Sequence, residues 1–496
     1  MTNITNADWP HLMIDPLEDK PREECGVFGI WGMKDAAALA VLGLHGLQHR
    51  GQEACGIASF DGKRFATERH LGLVSEHFSG EGVPLRLPGH AAIGHVRYST
   101  QGETALRNVQ PLYADLKSGG IAVAHNGNLT NARHLRERLV GKGAIFQSTS
   151  DTEVVLHLVA RSRRTKLIDQ FIDALKQIEG AYALVALTNK KLIGARDPYG
   201  IRPLILGKLG ASYILASETC ALDIIGATFV RNIEPGEVVV ISEQGQIRSH
   251  RPFPKVQARP CVFEFVYFSR PDSYIDGRNV YEVRKEMGRN LAREFPVDVD
   301  VIVPVPDSGV PAALGYSQET GIPFELGIIR NHYVGRTFIQ PTQAVRDLGV
   351  RMKHAANRAV LAGKRVLLVD DSIVRGTTSL KIIRMVRDAG AKEVHFRSAS
   401  PKILHPDFYG ISIADRSKLI AATHSLEEMQ RKLEVDSLGF LSVDGLYKAM
   451  GETKRDPDHP KFADHYFTGD YPTRLYDHEH AKSDKDLQLS LLSEIT

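Results

Sequence analysis

The apolar positions of the chain follow two rhythms that change near residue 255. Between 25 and 250, short apolar runs recur between Gly- and Asp-containing turns: GVFGIWG, GIASFDG, AAIGHVRYS, GIAVAHNG, AYALVALTN, KLIGARD, SYILASE and GEVVVIS. Each has the length of a strand and is bounded by turn formers. Helical spacing recurs near 35–49 and 150–178. Strands in runs with segregated helices predict an α+β layered sandwich. Between 261 and 450 the rhythm alternates instead. VDVIVPVP precedes the helix-like VPAALGYSQET, and RVLLVDD precedes TTSLKIIRMVRDAG, followed by EVHFRSAS. Continuous apolar strands between amphipathic helices predict an α/β fold with a parallel sheet covered on both faces. In such sheets ligands bind at the carboxyl ends of the strands.

Three breaks punctuate this pattern. Residues 1–24 are polar and end at Glu24. RPFPKVQARP (251–260) reads as a connection, and a polar, Pro-rich stretch follows Met450 and leads into a last segment with helical character. The leader lacks the apolar run of a secretory signal and the Arg-rich character of a transit peptide. No apolar stretch reaches the ~20 residues of a membrane span. The expected location is therefore cytoplasmic, with no membrane partner.

Composition narrows the function classes. Of 496 residues, 62 are basic and 59 acidic, for a net charge of +3, which argues against a dedicated nucleic-acid binder. Four cysteines (Cys25, Cys55, Cys220, Cys261) with no CxxC pair indicate a reducing compartment and no zinc framework.

The most informative segment is VLLVDDSIVRGTTS (366–379). A buried strand ends in Asp370 and Asp371, and Gly376, Thr377 and Thr378 then open a helix. Helix-opening N–H groups and hydroxyls cradle an anion. The carboxylates suit vicinal hydroxyls or a metal-bound substrate. Phosphate on one side and a diol on the other describe a ribose 5-phosphate. No GxxxxGKS/T or GxGxxG run supports a nucleotide-triphosphate or dinucleotide fold.

VDDSIVRGTT resembles the phosphoribosylpyrophosphate (PRPP) signature of type I phosphoribosyltransferases, in the form found in the glutamine PRPP amidotransferase family. PVPDSG (304–309) resembles that family's pyrophosphate loop, and RNHYVGRTFIQPTQ (330–343) its loop that closes over PRPP. The resemblance implies PRPP contacts from Asp307, Ser308, Gly309, Arg330, Arg336, Asp370, Asp371, Ser372, Arg375, Gly376, Thr377 and Thr378. It also implies one Mg²⁺ per PRPP site, at Ser308, Asp370 and Asp371. Arg330 and Arg336 would meet charge building on the leaving pyrophosphate.

In the first half, Cys25 begins the first β-rich run directly after Glu24. A thiol of pKa near 8.5 is a modest nucleophile, and the cysteine's own α-amino group, near 7.7–8.0, suits a general base. That requires cleavage between Glu24 and Cys25. CGVFGI resembles the start of N-terminal-nucleophile glutaminase domains (class II), and HRGQEACGI (49–57), GHVRYSTQG (94–102), AHNGNLTN (124–131) and SDTEV (150–154) match the same family. By resemblance Cys25 is the nucleophile and Arg97 holds the glutamine α-carboxylate. Asn126 and Gly127 form the oxyanion hole, and Asp151 binds the α-amino group. Cys55 and Cys220 are expected in the core, and His49 is given no role.

The resemblance divides the chain into a cleaved propeptide (1–24), a glutaminase (25–255), a phosphoribosyltransferase (260–450) and a C-terminal extension (451–496). It implies a glycosyltransferase with glutamine amidotransferase activity, making 5-phosphoribosylamine from PRPP and glutamine at the first committed step of purine synthesis. Purine nucleotides as feedback inhibitors and a homo-oligomer, tetramer or dimer, are implied as well. One branch of the family pairs a cleaved leader with an iron–sulfur cluster on four cysteines. Here only Cys261 matches; the other positions fall on Asp407, Ala463 and Tyr466. No cluster is expected, and packing is expected to hold residues 400–470. Two rivals are another class II amidotransferase, which would lack VDDSIVRGTT, and a PRPP-sensing regulator, which would not need Cys25, Arg97, Asn126 and Asp151.

Overall fold

The computed structural model describes residues 25–78, 82–98, 105–331, 354–411, 413 and 416–479. The leader, Arg336 with most of the segment 330–343, and the expected last helical segment beyond 479 lie outside the described residues.

Residues 26–250 build two stacked sheets. The first runs in the order Thr228–Asn232, Ile205–Leu209, Ser212–Ala216, Gly26–Trp31, Ala91–Arg97, Ala54–Phe60, Phe65–Leu71. The second runs Ile247–His250, Val238–Ser242, Lys191–Arg196, Gly180–Thr188, Gly119–Leu129, Leu112–Leu116. All pairings in both are antiparallel. The period-2 alternation of each strand decides what it touches. In Gly26–Trp31, Val27 and Trp31 enter the core between the sheets, whereas Phe28 and Ile30 meet the helix Ala36–Gly46. The helices Ala132–Val140, Thr152–Arg161 and Leu167–Leu175 cover the outer face of the second sheet. The result is the expected layered sandwich, helix–sheet–sheet–helix. The helical span 150–178 is two helices, because Ser162 leaves helical geometry at ψ 138°.

The second half holds a parallel sheet in the order Val301–Pro304, Arg365–Asp370, Glu393–Ser398, Ser437–Phe440. Val366 and Leu368 face the helices Thr377–Asp388 and Leu426–Leu433; Leu367 and Val369 face Val280–Glu294 and Val310–Thr320. Both faces are therefore covered, which is why these strands are continuously apolar.

A buried ionic cluster joins the halves. Arg50 meets Glu218 (Nε to Oε1, 2.8 Å) and also Glu264, which lies on the π-helical turn Glu264–Phe268. His49 and the Ser273 hydroxyl bond the Glu218 carboxylate at 2.8 and 2.7 Å. These partners hold Glu218 well below the usual carboxylate range although burial opposes its ionisation. Removing one member of such a pair strands a charge, which costs about 3–5 kcal/mol. Beyond residue 450, the Asp477 carboxylate accepts from the backbone N–H of Arg133 (2.8 Å) and His134 (3.0 Å), capping a helix of the first half. All four cysteines are buried and unpaired, Cys55 and Cys220 as the core residues expected. Among the described residues no helix is long and apolar enough to cross a membrane.

Candidate active sites

The strand after Cys25 is central in its sheet, flanked by Ala91–Arg97 and Ser212–Ala216. Cys25 is 9% exposed, and its thiol donates to the Tyr98 carbonyl at 3.6 Å. Burial pushes the thiol up to about 11; the Tyr98 hydrogen bond and Arg97 oppose this, and Asp151 and Glu53 reinforce it. At neutral pH only about one such thiol in 10⁴ is ionised.

Of the residues expected beside it, Arg97 and Asp151 interact electrostatically with the thiol. Arg97, 4% exposed, ends the adjacent strand. Asn126 and Gly127 lie in Gly119–Leu129, and Asp151 precedes the helix Thr152–Arg161. The Asp151 carboxylate accepts from Leu129 N–H at 3.0 Å and lies 3.6 Å from His125 Nδ1. Burial opposes its ionisation, but His125 and the N–H donors hold it below the usual range. Asn126 is fully buried, and both side-chain amide atoms lack a hydrogen-bond partner among the described residues. An unsatisfied buried amide costs about 1–3 kcal/mol. Gly127 adopts φ 132°, and a Cβ there would lie 2.1 Å from the Ala181 carbonyl oxygen, so no other residue fits.

Two histidines from the same motifs were not singled out as site residues by their sequence. His95 Nε2–H donates to the His125 carbonyl at 3.0 Å, which fixes the backbone entering Asn126. Burial lowers His95 to about 3, so the folded chain keeps it neutral. Because the unfolded chain binds that proton near pH 6.5, stability from this group is present above that pH and lost on acidification. Between pH 7 and 5 the loss is about 2 kcal/mol. His95→Gln keeps the donor and removes the proton site, so its urea midpoint should change less over that interval. An unchanged pH slope would contradict this assignment. Glu218 was also missed, since ASET carries no motif.

The second site lies at the carboxyl ends of the two adjacent strands Val301–Pro304 and Arg365–Asp370. Asp370 and Asp371 are 3% and 2% exposed. Asp371 N–H bonds Asp370 Oδ1 at 2.9 Å, and the Ser372 hydroxyl donates to Asp371 Oδ1 at 2.6 Å. Gly376 (φ 80°) turns the chain into the helix Thr377–Asp388, which Thr377 and Thr378 open. The loop 305–309 leads into Val310–Thr320, with Gly309 so near that a Cβ would lie 3.2 Å from Asp370 Cα. Two helices thus begin side by side at the carboxyl ends of adjacent strands. Asp307 in this loop is paired with Arg330, the last residue of the strand Ile328–Arg330. Arg375 lies in the same 371–376 turn, half-buried, and Ser308 lies beside Asp307. Sequence reasoning missed Arg284, a buried residue of Val280–Glu294. It donates to Phe265 O (2.7 Å) and Ser269 O (2.9 Å), and it interacts electrostatically with Asp371. Burial lowers its guanidinium to about 10.

The donor chemistry tests two possible inorganic groups. Asp370 and Asp371 are hard oxygen donors that suit Mg²⁺, but no group of three or more His, Cys, Asp or Glu among the described residues could hold a metal alone. At the positions of the family's cluster cysteines, Cys261 and Ala463 form a parallel bridge, and Cys261 Sγ lies 3.2 Å from the Tyr466 hydroxyl. Asp407, also close, bonds His465 Nε2 at 2.7 Å. One thiol, a committed carboxylate, a phenol and a methyl do not fit a cluster that needs four thiolates. Residues 400–470 are held by packing, with Ile403, Tyr409, Leu441, Phe462 and Phe467 in one buried core, and a buried polar network of Asp407, His465, Tyr466 and Arg202 adds to it.

Two family models match the chain: "Glutamine amidotransferase domain" over residues 95–223 and "Phosphoribosyl transferase domain" over 272–399. The amidophosphoribosyltransferase of Rhizobium etli is 62% identical over 469 residues, covering 93% of this chain and 95% of the relative. That of Bacillus subtilis is 50% identical over 455 residues, covering 92% and 95%. A solved glutamine PRPP amidotransferase from B. subtilis, complexed with ADP and GMP, superposes with a TM-score of 0.86 at 49% identity, covering 91% of this chain and 98% of that one. With a buried thiol site in an antiparallel sandwich and a phosphate-type crevice on a parallel sheet, the chain belongs to the amidophosphoribosyltransferase family.

Proposed function

We infer that the chain hydrolyses glutamine and transfers the ammonia to C1 of PRPP, giving 5-phosphoribosylamine, pyrophosphate and glutamate. The observation that carries this reading is that one chain holds both the thiol site and the strand-end crevice, joined by the buried Arg50–Glu264 contact. Each half alone would serve another amidotransferase or a PRPP sensor.

In the glutaminase step, Cys25 as residue one loses its thiol proton to its own α-amino group and attacks the side-chain amide carbon. The oxygen gains negative charge, which the Asn126 amide and Gly127 N–H are placed to stabilise. That proton then leaves on the amide nitrogen as ammonia departs, and water hydrolyses the thioester to glutamate. Arg97 matches a bidentate partner for the α-carboxylate, and Asp151, kept ionised, a partner for the α-ammonium. Asn126→Ala should lower glutamine-driven kcat by about 10²–10³-fold, as loss of one oxyanion donor does. An unchanged kcat would remove Asn126 from this role.

In the transferase step, the N–H groups and hydroxyls of Gly376, Thr377 and Thr378, with Arg375 and Ser372 in the same turn, suit the 5-phosphate. Asp307, Ser308 and Gly309 suit the pyrophosphate, which would draw Arg330 from Asp307 and recruit Arg336. Asp370 and Asp371 accept from the ribose hydroxyls. Asp370, Asp371 and Ser308 would hold Mg²⁺ together with substrate oxygens, and the ion would neutralise charge on the leaving pyrophosphate. Ammonia protonates readily in water, so coupling favours a shielded passage between the sites.

We further infer a cytoplasmic homo-oligomer, tetramer or dimer, consistent with four unpaired cysteines, whose leader 1–24 is removed. Binding of ADP and GMP by the B. subtilis relative supports purine nucleotides as its inhibitors. The test is an assay with glutamine and PRPP, in which glutamate and pyrophosphate should appear in equal amounts. Pyrophosphate release that ignores glutamine would sink the reading.

A further inference from the structure

We propose that the turn Asp407–Ile411, built by the second half of the chain, is a backstop that positions Gly127 for the thiol site, with Asp407 as the residue that sets it. The proposal rests on the glutaminase reading above and adds to it a positioning residue 280 residues or so away in sequence.

The turn is shaped from within by one carboxylate. Asp407, with no side-chain exposure, accepts through Oδ2 from the backbone N–H of Tyr409 (3.0 Å) and of Ile411 (2.6 Å). Through Oδ1 it accepts from His465 Nε2 at 2.7 Å, and its own N–H bonds the Ile413 carbonyl at 2.8 Å. With its N–H groups turned inward, the turn presents its carbonyls outward. The Phe408 carbonyl accepts from the side-chain amide of Asn128 at 2.8 Å. The Tyr409 carbonyl accepts from the fully buried Arg202, at 2.7 Å from Nη2 and 3.2 Å from Nε. Both donors belong to the sandwich, and Asn128 directly follows Gly127 on its strand.

Between these two anchors, Gly410 lies against Gly127. Gly410 adopts φ 128°, and a Cβ there would lie 3.4 Å from both Cα and C of Gly127 and 3.3 Å from Arg202 Nη2. A Cβ on Gly127 itself would lie 2.1 Å from the Ala181 carbonyl oxygen of the neighbouring strand. The backbone at Gly127 is therefore close-packed by its sheet partner and by the turn, so a shift of the turn would move the Gly127 N–H.

Asp407→Asn breaks the device with little change in size. An amide has one acceptor oxygen, so its NH₂ must face either the His465 N–H or the two backbone N–H groups. The expected result is a glutamine-driven kcat lowered by about 10–100-fold, the cost of a small displacement of a catalytic dipole. The glutamine KM and the ammonia-driven release of pyrophosphate from PRPP should be retained, because Arg97, Asp151 and the crevice are not part of the turn. Gly410→Ala leaves the carboxylate network intact and presses a methyl between Gly127 and Arg202. It should give the same selective loss and keeps the test open if Asp407→Asn does not fold. Retention of wild-type glutamine-driven kcat by a folded variant of either kind, or a parallel loss of both activities in Gly410→Ala, would overturn the proposal. Absence of glutamine-driven release in the wild-type chain would instead overturn the reading beneath it.

Discussion

Replacing Cys25 with alanine is expected to abolish glutamine-driven formation of phosphoribosylamine while the ammonia-driven reaction continues. Removing a covalent nucleophile costs about 10⁴-fold or more, because water cannot attack the amide at a comparable rate. The side chain lies 9% exposed between two strands, and the smaller alanine leaves the sheet pairing of Gly26–Trp31 untouched. The proposed PRPP site is built from separate strands, so external ammonia should still serve it. Pyrophosphate release with glutamine and with an ammonium salt, measured on the same preparation, separates the two steps. Loss of both would contradict the division of labour between the halves.

Asp371→Asn should have the opposite signature, with both nitrogen sources failing. Asp371 is nearly fully buried, accepts from the Ser372 hydroxyl and interacts with the buried Arg284. Asparagine keeps the shape and one acceptor oxygen but deletes the negative charge beside that guanidinium. The site then loses a ribose or Mg²⁺ partner and gains an excess of positive charge. Loss of a preorganised charge at the reacting centre costs about 10²–10³-fold. Pyrophosphate release should fall by that factor with glutamine and with ammonium alike, while hydrolysis of glutamine at Cys25 persists. A variant that loses only the glutamine-driven reaction would move Asp371 out of the PRPP site.

The sequence was most legible where function is written in consecutive residues at a strand end. VDDSIVRGTT holds a strand terminus, two acids and a helix start in ten positions, and the structure folds it as that pattern requires. GHVRYS and AHNG were legible only through the family resemblance, the second lying inside the strand Gly119–Leu129. Contacts between distant segments were not legible. The buried cluster of Arg50, Glu218 and Glu264 carried no signal, because nothing local distinguishes a buried acid from a solvated one. The helix Ala132–Val140 escaped notice because only Ala132, Leu135 and Leu139 face the core among charged neighbours. The fourth parallel strand, Ser437–Phe440, is too short to stand out, and only its pairing with Glu393–Ser398 defines it. Residues 400–470 were expected to be held by packing, since a lone Asp407 and His465 carry no signal until they meet.

On the proposed reading Cys25 acts as the first residue of the mature chain, its own amine taking the proton of a thiol that burial raises to about 11. The intact mass of the purified chain, after reaction with an electrophilic glutamine analogue, tests this most directly. The predicted mass is that of residues 25–496 carrying one adduct, which peptide mapping places on Cys25. A fully active chain that retains residues 1–24, or an adduct on any other residue, would contradict it.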